Sequence, residues 1–182
     1  IKLGQIMSMH SDILPERYCD ELMRLRSEVT PMPFQEVLDV IEESYGRSWK
    51  RVFSSIEEKP QGSASIAQVH AAVLRTGEKV VVKVQRKGIY EKMARDIALL
   101  HKAVKLLPPV SIKGMADLDL VLDEMWSVTR DEMNFLTEAS NMEEFARRNK
   151  DVAFVGTPVL YQQYTTVHVL VMEYIDGCGI DD

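Results

Sequence analysis

Lys83 is the residue whose surroundings in this sequence most constrain its chemistry, because it is a single cation within the apolar run from Val80 to Val84. A buried ammonium without a partner is costly, so the side chain must reach water or pair with an anion. A strand lysine of this kind can anchor nucleotide phosphates when a carboxylate holds it in place. Two interpretations of the run stay open: a solvent-facing lysine on an edge strand, and a phosphate-binding lysine.

A run of small residues precedes this strand and could hold phosphate oxygens. It follows Gly62 and consists of Ser63, Ala64, Ser65, Ile66 and Ala67. Small side chains let the backbone of a turn approach a ligand closely, and the N–H groups of the turn can then bind an anion. The same composition is common where a chain enters a β-hairpin, and that is the alternative interpretation of this run alone.

A polar segment from Asp131 to Asn141 supplies carboxylates. If the segment is helical, one face carries Asn134, Glu138 and Asn141, and an apolar stripe beside it carries Phe135, Ala139 and Met142. Glu132 would then lie about 120° from Glu138 around the helix, so the two carboxylates need not do the same job. The alternative is the ordinary solvated face of an amphipathic helix.

The fourth candidate is the tetrapeptide formed by Lys2, Leu3, Gly4 and Gln5, which lies in a helical pattern. A glycine inside a helix costs about 1 kcal/mol relative to alanine. Its presence indicates that a close neighbour needs the space.

Helical periodicity and turn residues predict the elements that position these groups. Helices are expected over 1–10, 16–26, Phe34–Tyr45, Ile89–Leu107 and Asp117–Asn149, with Gly46 ending the third. Strands are expected over Ser63–Leu74 and Val80–Val84, joined by a turn at Thr76-Gly77, and over Phe154–Tyr164 and Val167–Tyr174. This order predicts an α+β fold, a small and mainly antiparallel sheet with helices on one side.

Composition narrows the class of protein. A net charge of −6 argues against a nucleic-acid partner or a polybasic membrane surface. Cys19 and Cys178 are far apart and lack ligand spacing with histidine, so neither a disulfide framework nor a metal site is expected, and a reducing compartment fits best. The sequence shows no secretory signal and no apolar run long enough to span a bilayer.

The candidate motifs occur in an order and spacing that resemble the UbiB (AarF) type of atypical protein-kinase-like family. The resemblance rests on KLGQ, GSASIAQVH, VVVKVQR, the pattern E-x-N-x-x-x-E-A-x-N, and VLVMEYIDG, and it covers nearly the whole chain. It implies a helical N-terminal extension over residues 1–54 and a kinase-like N-lobe over residues 55–182, which ends at the hinge to a C-lobe that is absent from this chain.

The resemblance also implies roles for individual residues. Lys83 would bind nucleotide phosphates, Glu138 would hold its ammonium, and the loop from Ser63 to Ala67 would cover the phosphates. The backbone from Met172 to Tyr174, including Glu173, would be the linker that meets the adenine. Lys2, Gly4 and Gln5 would belong to a regulatory motif of the extension, together with Glu132 and Asn134. Where the family has an E-x-D pattern, this chain has Glu132-Met133-Asn134, so an amide replaces one expected carboxylate. An amide oxygen can still bind a cation but brings no charge, so the resemblance does not fix the divalent-ion affinity of this arm.

By this resemblance the complete protein would bind ATP or ADP with Mg²⁺ and support isoprenoid-quinone biosynthesis, with ATPase activity favoured over protein phosphorylation. Its partners would be the nucleotide, quinone-biosynthesis enzymes and a lipid or membrane surface, in the cytoplasm or at a membrane on its reducing side. No catalytic residue is expected within this chain, so the chain alone would be inactive. The alternatives are a non-catalytic scaffold that binds lipid or quinone and has an occluded nucleotide pocket, and a plain helical interaction domain.

Overall fold

The computed structural model describes residues 30–106 and 118–177 of this chain. The helices predicted before residue 30 lie outside the described residues, as do Lys2, Gly4, Gln5 and both cysteines. The described helices are α1 (Phe34–Tyr45), α2 (Ile89–Leu106), α3 (Leu118–Glu132) and α4 (Phe135–Arg148). The strands are β1 (Phe53–Ile56), β2 (Gly62–Ser63), β3 (Ala67–Leu74), β4 (Lys79–Gln85) and β5 (Val169–Glu173), and short 3₁₀ turns cover Trp49–Arg51 and Gln162–Tyr164.

The strands form one antiparallel sheet in the order β1, β3, β4 and β5, with β2 also paired to β3. The predicted hairpin joins β3 and β4 and turns at Gly77, whose φ of 102° suits a residue without a Cβ. In the register of the sheet, Lys83 lies opposite Val69 on β3 and Leu170 on β5. Lys83 therefore lies on a central strand and not on an edge.

One face of the sheet is covered by α1. The apolar positions Val37, Val40 and Ile41 recur at helical spacing and are buried. The helix ends at Gly46, which takes the left-handed conformation at φ 62°. Across from α1 lie valines at alternate positions of β4 and β5, which point to one side because side chains alternate along a strand: Val80, Val82, Val84, Val169 and Val171.

A chain of polar contacts is buried within this first face. Gln68 accepts a hydrogen bond from the backbone N–H of Met32 at 2.7 Å and donates to the backbone oxygen of Met32 at 3.2 Å. Its amide nitrogen also lies 2.9 Å from Nε2 of His70, and Nδ1 of His70 lies 2.7 Å from the backbone oxygen of Glu57. Burial lowers the pKa of His70. These contacts tie the segment before α1 to β3.

The opposite face of the sheet is covered by α4. Phe135 and Ala139 pack with Ala67 of β3 and Leu170 of β5 into a second apolar cluster. Phe135 is fully buried, and burying a side chain of this size stabilises a fold by about 1.5–3 kcal/mol. The expectation of helices on one side of the sheet is therefore wrong, because α1 and α4 cover opposite faces.

The helix predicted over Asp117–Asn149 is two helices, α3 and α4, so that prediction is wrong as a single element. The break occurs at Met133 and Asn134, where Asn134 is extended and its side chain accepts a hydrogen bond from the N–H of Leu136 at 3.1 Å. Asparagine is a favoured helix N-cap for this reason. Asn134 therefore does not share a helical face with Glu138, and Glu132 ends the preceding helix.

The strand predicted over Phe154–Tyr164 is also wrong. This segment makes a single bridge, Leu160 to Met172, and then enters the 3₁₀ turn at Gln162–Tyr164. Pro158 has no N–H to donate to a neighbouring strand, which limits pairing along this stretch. The segment nevertheless runs beside β5, because the N–H of Tyr161 bonds to Val171 and the N–H of Glu173 bonds to Val159.

The predicted division between residues 54 and 55 falls within β1, and the helix α1 on its N-terminal side shares a core with the sheet. Among the helices of the described ranges, none is long and apolar enough to cross a membrane.

Candidate functional site

Lys83 and Glu138 form an ion pair between the sheet and α4. The ammonium Nζ lies 2.8 Å from Oε1 and 2.7 Å from Oε2 of Glu138. It also lies 4.9 Å from the centre of the Phe135 ring, a distance that allows a cation–π contact. The side chains of Lys83 and Glu138 are 26% and 35% exposed, so water reaches the pair. A partly exposed pair of this kind stabilises a fold by about 1 kcal/mol or less.

Strand alternation explains why this lysine reaches α4. Val82 and Val84 point into the core under α1, so Lys83 between them points to the other face. On α4, Phe135, Glu138 and Ala139 share one side of the helix, because residues three and four positions apart are neighbours. Burial of Phe135 and Ala139 against the sheet therefore brings Glu138 to Lys83.

The start of α4 is held by backbone contacts. The N–H of Phe135 bonds to the carbonyl oxygen of Val167 at 3.1 Å, just before β5. Glu138 lies in the first turn, where the positive end of the helix dipole favours a carboxylate. The local structure of α4 thus favours both the position and the charge of Glu138.

The small-residue run forms a turn beside Lys83. The N–H of Ala64 bonds to the oxygen of Ala67 at 2.8 Å, and the N–H of Arg86 bonds to Ile66 at 2.8 Å. The Arg86 guanidinium contacts this turn as well, with Nε 2.8 Å from the oxygen of Ala64 and Nη2 2.7 Å from Oγ of Ser63. A third bond from Arg86 reaches the oxygen of Thr30 at 2.9 Å. Arg86 therefore fastens the turn to β4 and to the segment before α1.

Burial lowers the pKa of Arg86, although the charge of Glu36 opposes the shift. The guanidinium stays charged at neutral pH, since arginine keeps its proton in proteins. Its bonds to the turn are consequently charge-assisted, and such bonds are stronger than neutral ones.

A cleft of about 760 Å³ lies between the turn, β4 and α4. The residues that line it are Ala64, Ser65, Ile66, Ala67, Lys83, Val128, Asp131, Glu132, Phe135, Thr137, Glu138, Asn141, Met142, Phe145, Thr157 and Pro158. Of these, Lys83 supplies a positive charge, and Asp131, Glu132 and Glu138 supply carboxylates. Most of the remaining lining is apolar. This volume lies within the range of small-molecule and cofactor sites.

Seven of the sequence-predicted residues line this cleft together: Lys83, Glu138, Glu132 and the stretch from Ala64 to Ala67. Ser63 lies behind the turn and is bonded to Arg86. Asn134 caps α4 and does not line the cleft.

The predicted linker residues Glu173 and Tyr174 are not among the residues that line the cleft. The carboxylate of Glu173 accepts a hydrogen bond from the N–H of Val159 at 3.0 Å, and the N–H of Tyr174 bonds to the oxygen of Lys79 at 3.2 Å. The backbone N–H of Glu173 bonds to the oxygen of Val159 at 2.8 Å, so the N–H groups of Glu173 and Tyr174 both have partners within the protein.

Sequence reasoning left several lining residues without a role. Helical spacing places Asn141 and Met142 near Glu138. The same spacing extends to Phe145, which also lines the cleft. Asp131 and Val128 lie on α3, and the break at Asn134 changes where they point. Thr157 and Pro158 reach the cleft through tertiary packing alone, for which the sequence carries no local signal.

Within residues 30–106 and 118–177, no group of three or more His, Cys, Asp or Glu side chains is arranged to hold a metal ion.

A small antiparallel sheet with a central-strand lysine paired to a helix glutamate, beneath a small-residue turn, defines the class of protein-kinase-like folds. The particular family is shown by comparison with known proteins: the model of the ABC1 atypical kinase-like domain matches residues 24–182, and the chain belongs to that family.

Named relatives agree with this assignment. The chain is 40% identical over 184 residues to the probable protein kinase UbiB of Pseudomonas fluorescens (strain Pf0-1), covering 100% of this chain and 34% of that protein. It is 38% identical over 184 residues to the chloroplastic protein ACTIVITY OF BC1 COMPLEX KINASE 8 of Arabidopsis thaliana, covering 100% of this chain and 24% of that protein. The chain therefore spans about a quarter to a third of the length of these relatives.

A solved structure shares the fold. It is described as the complex of Rv3197 with erythromycin from Mycobacterium tuberculosis, and it aligns with a TM-score of 0.68 at 31% identity. The alignment covers 96% of this chain and 44% of that one.

Proposed function

We propose that the cleft binds ATP or ADP together with Mg²⁺, as the nucleotide-binding part of an atypical kinase-like ATPase. The observation that carries this proposal is the Lys83–Glu138 pair, which lies on the cleft wall beside the turn from Ala64 to Ala67. An ammonium held at one place by a carboxylate, next to a turn of small residues, is an arrangement that can bind phosphate oxygens.

Each group of cleft residues would have a separate role in nucleotide binding. Lys83 would donate hydrogen bonds to phosphate oxygens, and Glu138 would keep its ammonium directed into the cleft. The small side chains from Ala64 to Ala67 would let phosphates approach the backbone closely. Apolar lining residues such as Val128, Met142 and Phe145 would surround the base.

The carboxylates of the cleft bear on how a divalent ion would be bound. Asp131 and Glu132 line the cleft beside the Lys83–Glu138 pair. Mg²⁺, when bound, would neutralise phosphate charge. Among the described residues that line the cleft, Asp131 and Glu132 would serve that ion, directly or through water.

In the full-length protein, this nucleotide site would serve a reaction that supports isoprenoid-quinone biosynthesis, with ATPase activity favoured over protein phosphorylation. Quinone-biosynthesis enzymes and a lipid or membrane surface would be its partners. This part of the proposal rests on the resemblance to the UbiB type and on relatives that carry that name.

The test is nucleotide binding by the full-length protein with Lys83→Ala. The matched control is Lys79→Ala, because Lys79 is an exposed lysine on the same strand that does not line the cleft. Calorimetric titration with ATP and Mg²⁺ should show affinity reduced by about tenfold or more for Lys83→Ala, and unchanged for Lys79→Ala, since charge-assisted hydrogen bonds contribute about 1.5–3 kcal/mol. Equal affinity in both variants would contradict the proposal.

A second candidate is that the cleft binds an apolar ligand such as an isoprenoid quinone, in a scaffold without nucleotide chemistry. The observation in its favour is the apolar lining, which includes Phe145, a half-exposed aromatic residue. The same titrations with a short-chain quinone would distinguish the two. Quinone binding that survives Lys83→Ala, with no nucleotide binding by the unaltered protein, would favour the scaffold.

A further inference from the structure

Gln85 is a buried amide at the end of β4, two positions beyond Lys83. Because side chains alternate along a strand, Gln85 and Lys83 point to the same face of the sheet, toward α4. The residue is 5% exposed, so its polar atoms need partners inside the protein.

The amide of Gln85 has a partner on each side. Its Nε2 donates a hydrogen bond to the backbone oxygen of Met133 at 2.7 Å. Its Oε1 lies 2.6 Å from Nδ1 of His168, and the backbone N–H of Gln85 bonds to the oxygen of His168 at 2.9 Å. With Nδ1 of His168 as the donor, the amide has one orientation that satisfies both contacts, and its NH₂ group must face Met133.

Met133 lies at the junction of α3 and α4. The last carbonyl groups of a helix have no partner within that helix, so the bond from Gln85 satisfies a group that the end of α3 leaves free. Two residues later, the N–H of Phe135 bonds to Val167. The start of α4 is thereby fixed to β4 and to the segment just before β5.

Lys83 and Gln85 therefore tie α4 and the junction before it to the same strand, from alternate positions of β4. Gln85 holds Met133, two residues before α4 begins, and Lys83 holds Glu138 in the first turn of α4. If the junction were released, α4 could shift along the sheet, and Glu138 would no longer meet the ammonium at 2.7 and 2.8 Å.

We infer that Gln85 is a positioning residue, which acts through Met133 and α4 to hold Glu138 against Lys83. Its effect on nucleotide binding rests on the function proposed above. Its effect on the Lys83–Glu138 pair is independent of nucleotide binding, so this inference and the proposed function can be contradicted separately.

The binding test is a double-mutant cycle in the full-length protein. Gln85→Met removes the amide with little change in volume, and Gln35→Met on the exposed side of α1 is the matched control. Gln85→Met should weaken ATP binding by about fivefold to twentyfold, and by less than about twofold when Glu138→Gln is already present, because the two residues act through one contact. An equal loss in both backgrounds would show that Gln85 does not act through Glu138.

The ion pair itself is tested without nucleotide. The ¹³Cε and ¹⁵Nζ resonances of Lys83 should move in Gln85→Met toward their values in Glu138→Gln, and stay unchanged in Gln35→Met. Unchanged Lys83 resonances in Gln85→Met would overturn the inference. If Gln85→Met does not fold, Gln85→Asn keeps a neutral amide on a side chain one methylene shorter, which cannot reach both Met133 and His168, and a displacement in the same direction is expected. Failure of the unaltered protein to bind ATP would count against the proposed function alone.

Discussion

Nζ of Lys83 meets both carboxylate oxygens of Glu138 within 2.8 Å, although 55 positions separate the two residues in sequence. The contact joins the central strand of the sheet to the first turn of α4, at the wall of the cleft. The orientation of the ammonium therefore depends on the placement of a whole helix.

Glu138→Gln tests the carboxylate in this pair. The amide keeps the size of the side chain and one acceptor oxygen but removes the charge, so the ammonium would be held less firmly. ATP affinity of the full-length protein should fall by about tenfold, while the free energy of unfolding changes by about 1 kcal/mol or less, since the pair is partly exposed. Calorimetric titration and chemical denaturation measure the two quantities.

The control for that experiment is Glu143→Gln, an exposed substitution on the same helix. It should change neither quantity. A loss of stability in Glu138→Gln large enough to account for the loss of affinity would contradict a role in orienting Lys83.

Arg86→Lys tests how the small-residue turn is held. Lysine keeps the positive charge but cannot reproduce the planar set of donors that reaches Ser63, Ala64 and Thr30. We expect amide hydrogen exchange from Ala64 to Ala67 to accelerate by about fivefold or more, since losing charge-assisted bonds costs about 1.5–3 kcal/mol. Arg75→Lys, at an exposed position after β3, is the control. Exchange rates that match the control would show that other contacts hold the turn.

The Lys83–Glu138 pair and the turn held by Arg86 show how much of the cleft the sequence could predict. Lys83, Glu138 and the turn from Ser63 to Ala67 carry local signals: a charge in an apolar strand, a carboxylate on an amphipathic helix, and a cluster of small residues. Helical spacing also placed Phe135 and Ala139 on the buried stripe, as the structure has them. Local patterns of this kind depend on nearby residues, which the sequence displays directly.

The elements that were predicted wrongly depend on contacts between distant residues. Periodicity continued across Asn134, but the bond from Phe135 to Val167 and the cap by Asn134 favour a new helix there. Leu160 runs beside β5 without forming a full strand, and the position of Pro158 in the cleft follows from that path. Neither outcome can be read from composition or spacing.

His70 should make stability depend on pH. Its Nδ1 lies beside a carbonyl oxygen and its Nε2 beside the NH₂ group of Gln68, so the folded protein holds the neutral imidazole. Burial lowers its pKa from the ordinary 6.5, so the unfolded chain takes up the proton first as pH falls. This contribution to stability is complete above about pH 7, falls as pH drops below 6.5, and levels off below the lowered pKa.

The measurement is the free energy of unfolding between pH 7.5 and about 5.5, a range in which most carboxylates stay ionised. The unaltered protein should lose more stability over this range than His70→Asn. An imidazole resonance of His70 that titrates at the ordinary pKa would contradict the prediction.

Substitutions at Asn134 distinguish a role in capping α4 from a role in binding the metal ion. Its side chain accepts the N–H of Leu136 at 3.1 Å, so Asn134→Ala should lower the free energy of unfolding by about 1 kcal/mol. Asn134→Asp keeps an equally good cap and should leave stability within a few tenths of a kcal/mol, while adding the carboxylate that the E-x-D pattern contains. Because Asn134 does not line the cleft, the Mg²⁺ concentration that half-saturates nucleotide binding should be the same for Asn134→Asp and the unaltered protein. A clearly lower Mg²⁺ requirement in Asn134→Asp would mean that this position reaches the ion after all, and that α4 moves when the nucleotide binds.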